Sequence, residues 1–332
     1  MRLTLIRHGE STWNASGRWQ GHADVPLSPR GQLQARALAG RLFGVPFDRR
    51  LTSDLPRAAA TAAALGEACA IEPRFRELDL GGWSGLTHAE VAARFPDELR
   101  SLQRGLPVRI GGGESIEEFE SRIDAVLDEL AAAEAGREVL AVTHGGVVRS
   151  VIGRALDARG RTSPVVGAAN TSITIVRCEG GRVAIEVFND DQHLDPTERQ
   201  RGTMRPTDPS RVRVALVAVD PDAPRSRAEV DGILTSLRLA TYYATREVES
   251  GADARAFGAV PSEPGELRAK LAGQEGSGVA VLVPHARLRE ELGQLIGIDA
   301  TVGFLPAAPG TWTEVHVGKR AELVSYGTKP IA

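Results

Sequence analysis

Two short apolar runs constrain this chain more than any other feature, because each stops abruptly at a histidine followed by glycine. Residues 3–6 run into Arg7-His8-Gly9-Glu10, and residues 138–143 run into His144-Gly145-Gly146. Apolar runs this short, bounded by glycine, read as buried strands. Between and after them the periodicity changes to that of helices. Residues 30–43 place Leu33, Ala37, Leu38 and Leu42 at helical spacing, and the alanine-rich stretch 54–68 carries Pro56 in its first turn, where a missing N–H costs nothing. Residues 115–133 align Ile116, Phe119, Ile123, Leu127 and Leu130 on one face, opened by Ser115 and Glu118 as a capping box. A further helix is expected over 147–156. Residues 172–177 and 182–188, joined through Gly180-Gly181, read as a hairpin. Strands alternating with helices predict an α/β three-layer sandwich around a mostly parallel sheet. Such sheets bind ligands at the carboxyl ends of their strands, where the two histidines can converge on one crevice.

The 332 residues exceed one ordinary domain and suggest about two. From about Asp195 the apolar periodicity stops, and Pro196, Pro206 and Pro209 mark residues 195–211 as a linker. Residues 212–332 then read as a smaller α/β domain: strand 212–219, helix 228–248, strand 278–283, helix 287–296, and a hairpin of 312–317 with 321–326 around Gly318. The segment from Val279 through His285 to Leu292 can be laid over that from Val139 through His144 to Ile152, and Leu234-Thr-Ser-Leu echoes Leu51-Thr-Ser-Asp-Leu. The C-terminal part is either a decayed copy of the first domain or an independent strand–helix–hairpin unit. Under the copy alignment, Val219-Asp220 stands where Arg7-His8 stands, which predicts a non-catalytic lobe.

Composition excludes several function classes. At 42% hydrophobic and 25% charged, the chain is an average soluble globular protein. A net charge of −3 argues against nucleic-acid and anionic-membrane partners. Lys270, Lys319 and Lys329 are the lysines among 40 basic residues, a bias of the kind a GC-rich bacterial genome imposes, so an arginine alone signals nothing. Cys69 and Cys178 form neither a disulfide framework nor a metal motif. No signal peptide or membrane span is evident, so a cytoplasmic protein is expected.

The chemistry lies in the strand-end motifs. Arginine forks beside the histidines suit phosphate oxygens. Leu5-Ile-Arg-His-Gly-Glu-Ser-Thr-Trp-Asn14 resembles the opening signature of the histidine phosphatase superfamily, the phosphoglycerate mutase-like fold. The resemblance continues through Gln20-Gly21, Asp24-Val-Pro-Leu-Ser28, Gly31 and Gln34-Ala35. It then runs through Ser53-Asp-Leu-Pro-Arg57-Ala with Thr61-Ala62, Glu77-Leu-Asp-Leu-Gly81 with Trp83 and Gly85, and Gly113-Glu-Ser115. Val142-Thr-His144-Gly-Gly146 and Asn189-Asp190 before His193 close it, so that residues 1–194 are covered in family order.

Carried over position by position, the resemblance implies that His8 is the nucleophile that takes the phosphoryl group. Arg7, Arg57 and His144 would surround the phosphoryl oxygens. Asn14 would add a neutral donor, and the Gly145 end of the following helix would present N–H groups. Glu77 would act as general acid and then general base. No metal and no cofactor are implied. The partner expected is a small phosphorylated substrate, with a homo-oligomer as a further possibility. Asp54 is expected to cap a helix, His22 and His88 to lie at the surface, and His193 to make a fold-closing contact. Ser84 departs from the glutamate common in family phosphatases, which alters the expected pocket charge. Arg104 and Arg109 are candidates for reaching the rest of the substrate. The alternative reading, a phosphoglycerate mutase using the same residues, resembles the chain less. The mutases carry a longer insertion before the second histidine and a Glu-Arg-His-Tyr-Gly motif that is absent here.

Overall fold

The structure, a computed structural model, describes residues 1–158, 165–195, 212–219, 241–245, 261–262, 278–297, 303–307, 311–317 and 322–328. Contacts group the described residues of Met1–Ser163, Gly167–Val183 and His193–Met204 into one compact unit, and those of Pro164–Val166, Ala184–Gln192 and Arg205–Ala332 into a second. This partition differs from a single boundary at 194. Val165 and Ala184–Gln192 go to the second unit because their backbones pair there: Val165 bridges Leu323, Ile185 bridges Phe304, and Phe188 pairs with Tyr326. The linker expected over 195–211 lies, beyond Asp195, outside the described residues.

In the first unit the strand order is β3-β2-β4-β1-β5. Strand β1 (Arg2–Arg7) runs parallel to β4 (Glu138–Thr143) and antiparallel to β5 (Ile173–Glu179). Strand β4 in turn pairs in parallel with β2 (Arg49–Thr52), and β2 with the short β3 (Ala70–Ile71). Leu3, Leu5, Ile6, Val139, Ala141 and Val142 have no exposed surface, as expected of parallel strands covered on both faces. Ile6, Leu140, Val142 and Ile173 pack with Leu38 of α2 (Pro29–Leu42) and with Ala58 and Ala62 of α3 (Pro56–Ala63). Side chains alternate along a strand, so Leu3, Leu5, Val139 and Ala141 face the opposite layer. That layer is α6 (Ile116–Ala133) against β5 and α7 (Gly145–Ala155) against β1. Beyond β5, strand β6 (Arg182–Asp190) follows a turn in which Gly180 and Gly181 both take positive φ.

The helix starts are chemically explicit. Ser28 accepts from the Gly31 N–H ahead of Pro29 in α2, and Ser115 and Glu118 form the expected capping box of α6. Helix α3 begins at Pro56 with Leu55 at its cap and no side-chain bond there. Asp54 therefore does not cap it. It is drawn instead into a two-pronged ion pair with Arg76, which holds its carboxyl below the usual range. Three helices escape the periodicity reading: α1 (Thr12–Ala15), α4 (His88–Arg94) and α5 (Pro96–Gln103). Among the described residues no helix is long and apolar enough to cross a membrane.

The second unit contains β7 (Val212–Val219), β8 (Thr241–Thr245), β9 (Pro261–Ser262), β10 (Gly278–Pro284), α8 (Leu288–Ile296), β11 (Trp312–Val317) and β12 (Glu322–Thr328). The helix expected over 228–248 is corrected at Thr241–Thr245, which is a strand parallel to β10. Its Thr-Tyr-Tyr-Ala-Thr sequence is β-branched and aromatic, and pairing with β10 satisfies that preference. The rest of 228–248 lies outside the described residues. The strands run β9-β8-β10-β7-β11-β12. Strands β7, β8, β9 and β10 are mutually parallel where they pair, and β11 is antiparallel to β7. That is the order and sense of β3-β2-β4-β1-β5. Val219 faces Pro284 as Arg7 faces Thr143.

Candidate active site

Register brings the two histidines together. Arg7 lies opposite Thr143 on parallel strands, and the His8 N–H donates to the Thr143 carbonyl one step further. His8 and His144 therefore leave the same edge of the sheet, with ring centroids 5.1 Å apart and planes at 60°. Both are buried.

The state of His8 follows from its neighbours. The Arg57 Nε–H points at His8 Nε2 over 3.3 Å. A guanidinium has only donors, so Nε2 must offer its lone pair and the ring proton sits on Nδ1. There it donates to the Gly9 carbonyl at 2.7 Å. Burial, then the charges of Arg57 and Arg7, push the His8 pKa well below the ordinary histidine range. His8 is thus a neutral imidazole whose partners favour the proton on Nδ1.

Arg57, on the first turn of α3, is anchored by the carbonyls of Ala23 (2.9 Å) and Gly21 (2.8 Å). Arg7 donates to the Ala168 carbonyl at 2.5 Å, while its buried Nε has no hydrogen-bond partner. Burial lowers both guanidinium pKa values to about 10, against which Glu77 pulls them back up. Both remain charged at pH 7. His144 caps α7, its Nε2 lies 2.9 Å from Ser53 Oγ, and burial, Arg57 and His8 also push its pKa well down.

Glu77 is fixed from several sides. Its carboxylate accepts from the Leu78 N–H at 2.9 Å and the Gly146 N–H at 3.1 Å. The His22 Nε2–H donates to its carbonyl at 2.8 Å. Arg122 donates to the carbonyls of Arg74, Arg76 and Glu77 while paired with Glu114. At Gly146 a Cβ would lie 2.1 Å from Glu77 Oε1, so only glycine leaves room for the carboxylate.

A cavity of about 260 Å³ opens over these groups and is lined by Arg7, His8, Asn14, Arg57, Glu77 and Gly146 among others. Asn14 reaches it with its amide oxygen taken by the Ser11 N–H and hydroxyl. His144 and Gly145 are not part of the lining. His144 backs onto the His8 ring, and Gly145 gives space to Arg7, whose Nε would be 3.3 Å from a Cβ there. Arg104 is exposed, Arg109 is paired with Glu118, and neither lines the cavity. Ser84 sits against Gly21 rather than in the cavity. His88 is exposed and His193 meets Thr171 Oγ1 at 3.0 Å, both as expected, whereas His22 is drawn in to the Glu77 carbonyl.

Sequence reasoning left Ser53, His22 and Arg122 without roles. Ser53 stands inside the Ser-Asp-Leu-Pro-Arg motif, which was its only signal. Nothing local marks Arg122, one of many charged residues along α6. Among the described residues, no three or more His, Cys, Asp or Glu side chains gather as a metal site would require.

Comparison with known proteins places this geometry. The family model of the histidine phosphatase superfamily (branch 1) matches residues 3–191. The chain is similar to phosphoglycerate mutase-like protein 4 of Arabidopsis thaliana, 32% identical over 204 residues, which are 59% of this chain and 87% of that protein. It is also similar to a metal-independent phosphoserine phosphatase of the same plant, 34% identical over 58% of this chain and 82% of that protein. Among solved structures it resembles a mycobacterial glucosyl-3-phosphoglycerate phosphatase, with 32% identity and a TM-score of 0.52, covering 57% of this chain and 98% of that one.

Proposed function

Because the chain belongs to the histidine phosphatase superfamily, we propose that it is a metal-independent phosphomonoesterase working through a phosphohistidine on His8. The observation that carries this is the Arg57–His8–Gly9 arrangement. It leaves a neutral imidazole with its Nε2 lone pair at the cavity, between two guanidinium groups. In the first step that lone pair forms an N–P bond while the P–O bond to the leaving group breaks. Glu77, as the carboxylic acid, gives its proton to the departing oxygen. In the second step water attacks phosphorus and yields its proton to the Glu77 carboxylate. The P–N bond breaks, and inorganic phosphate leaves with His8 restored. Arg7 and Arg57 offset the charge on the transferring group, with Asn14 as a neutral donor and His144 behind the His8 ring.

His8→Ala should abolish phosphate release and also the acid-labile phosphoprotein trapped by rapid quenching with substrate. An adduct that persists in this variant would remove His8 from the role. A phosphoglycerate mutase would use the same residues but pass the phosphoryl group to an acceptor. Release of inorganic phosphate from a monoester without any acceptor separates the two. The second unit we read as a non-catalytic copy of the first, supported by its matching strand order and by Val219 standing where Arg7 stands.

A further inference from the structure

The cavity is asymmetric. Its floor is cationic and polar, but its wall is apolar: Trp19, Leu78, Leu80, Ile116 and Phe119. These side chains are backed by protein. Leu80 belongs to a buried cluster with Trp83, Val91 and Ile110, against which Trp19, Leu78 and Ile116 pack. Trp19 meets Trp83 edge-on at 6.2 Å, and Phe119 carries the Arg122 guanidinium 5.1 Å from its ring centre. The wall is therefore a fixed surface that water solvates poorly.

The charged groups on the lining beyond the floor are Arg18, Glu120 and Arg149. Arg18 donates to the Gly85 carbonyl at 2.6 Å and to Glu90 at 3.1 Å, so its charge is already answered. Glu120 and Arg149 stand on the same lining with opposite charges, so neither sign is favoured beyond the floor. A carboxylate or polyol laid along Trp19, Leu78, Leu80, Ile116 and Phe119 would leave its water to face hydrocarbon, whereas an alkyl or aryl group would gain by leaving water. The volume, about 260 Å³, lies just under the range of drug-sized ligand sites, which limits the remainder to a small group.

Resting on the phosphatase reading of the same site, we infer that the substrate is a small phosphomonoester with an apolar alkyl or aryl body. The apolar body lies along Trp19, Leu78 and Ile116 while the phosphate meets His8, Arg7 and Arg57.

The test is a series of n-alkyl phosphates from methyl to hexyl, with glycerol 3-phosphate and phosphoserine as polar comparators, assayed by phosphate release from the full chain. The leaving alkanols hardly differ in acidity, so the series varies apolar contact alone. kcat/KM should rise about fourfold per added methylene until the cavity is filled, with the polar compounds below alkyl phosphates of equal length. Ile116→Asn should flatten that slope. A flat or falling series, or a polar comparator that outruns its alkyl match, overturns the inference while leaving the phosphatase reading intact. No release from any ester, or release that survives His8→Ala, overturns the phosphatase reading and this inference together.

Discussion

Arginine has donors and no acceptor, and at the scale of single residues that asymmetry decides the chemistry of His8. Arg57 compels Nε2 to present its lone pair, and the Gly9 carbonyl holds the proton on the other nitrogen. Burial is the largest cause of the lowered His8 pKa, and the Arg57 charge is next. Activity that needs neutral His8 should therefore persist below the ordinary histidine pKa of about 6.5 and fall only at lower pH. Arg57→Gln removes a positive charge, which raises the His8 pKa and moves the acid limb of the kcat/KM profile to higher pH. It should also lower the plateau by about 10²- to 10³-fold, the usual loss when a donor to the developing charge is removed. An acid limb that stays in place would show that desolvation alone sets the titration.

At the scale of elements, the site is a meeting of the start of α7 with the irregular segment before Leu78. Gly146 lets the Glu77 carboxylate reach the helix N-terminus, and a Cβ there would collide with it. Glu77→Gln should depress turnover most for alkyl phosphates, because an aryl leaving group such as p-nitrophenolate needs little protonation. Gly146→Ala should reproduce that selective loss without touching the carboxyl chemistry. Equal losses on both substrate types would assign the proton to another group. The elements that were readable beforehand are those with a clear period or cap. Strand β4 spans 138–143 as expected, and α6 has the expected face and capping box. Helices α4 and α5 were not, although Thr87 and Glu90 form a capping box too. Val91 is the one buried residue of α4 and α5 has none, so neither carries an apolar stripe for periodicity to reveal.

At the scale of the whole chain, the family model ends at residue 191. The second unit repeats the first unit's strand order, and the strand ends tell the two apart. The position of Arg7 is taken by Val219, while His285 follows β10 as His144 follows β4. A non-catalytic second unit has no use for that histidine in turnover. His285→Ala should accordingly leave kcat and KM within about twofold of the parent, the scale of an ordinary surface substitution. A loss comparable to that from His144→Ala would give the second unit a catalytic part.

What the sequence by itself determined is the family, the α/β architecture of the first unit and the residues bearing charge and lone pairs at its strand ends. Strand periodicity and motif spacing are local properties, and the chemistry of Arg7, His8, Arg57, Glu77 and His144 is written in their side chains. What only the tertiary structure decided is how those side chains are held. Ser53 reaches His144 across 91 positions, Arg122 pins the Glu77 backbone across 45, and the apolar wall joins Trp19 to Ile116 and Phe119. No local pattern encodes such contacts. They exist because folding brings distant residues into a water-poor crevice, where hydrogen-bond partners remote in sequence, as Arg57 is from His8, set the proton positions.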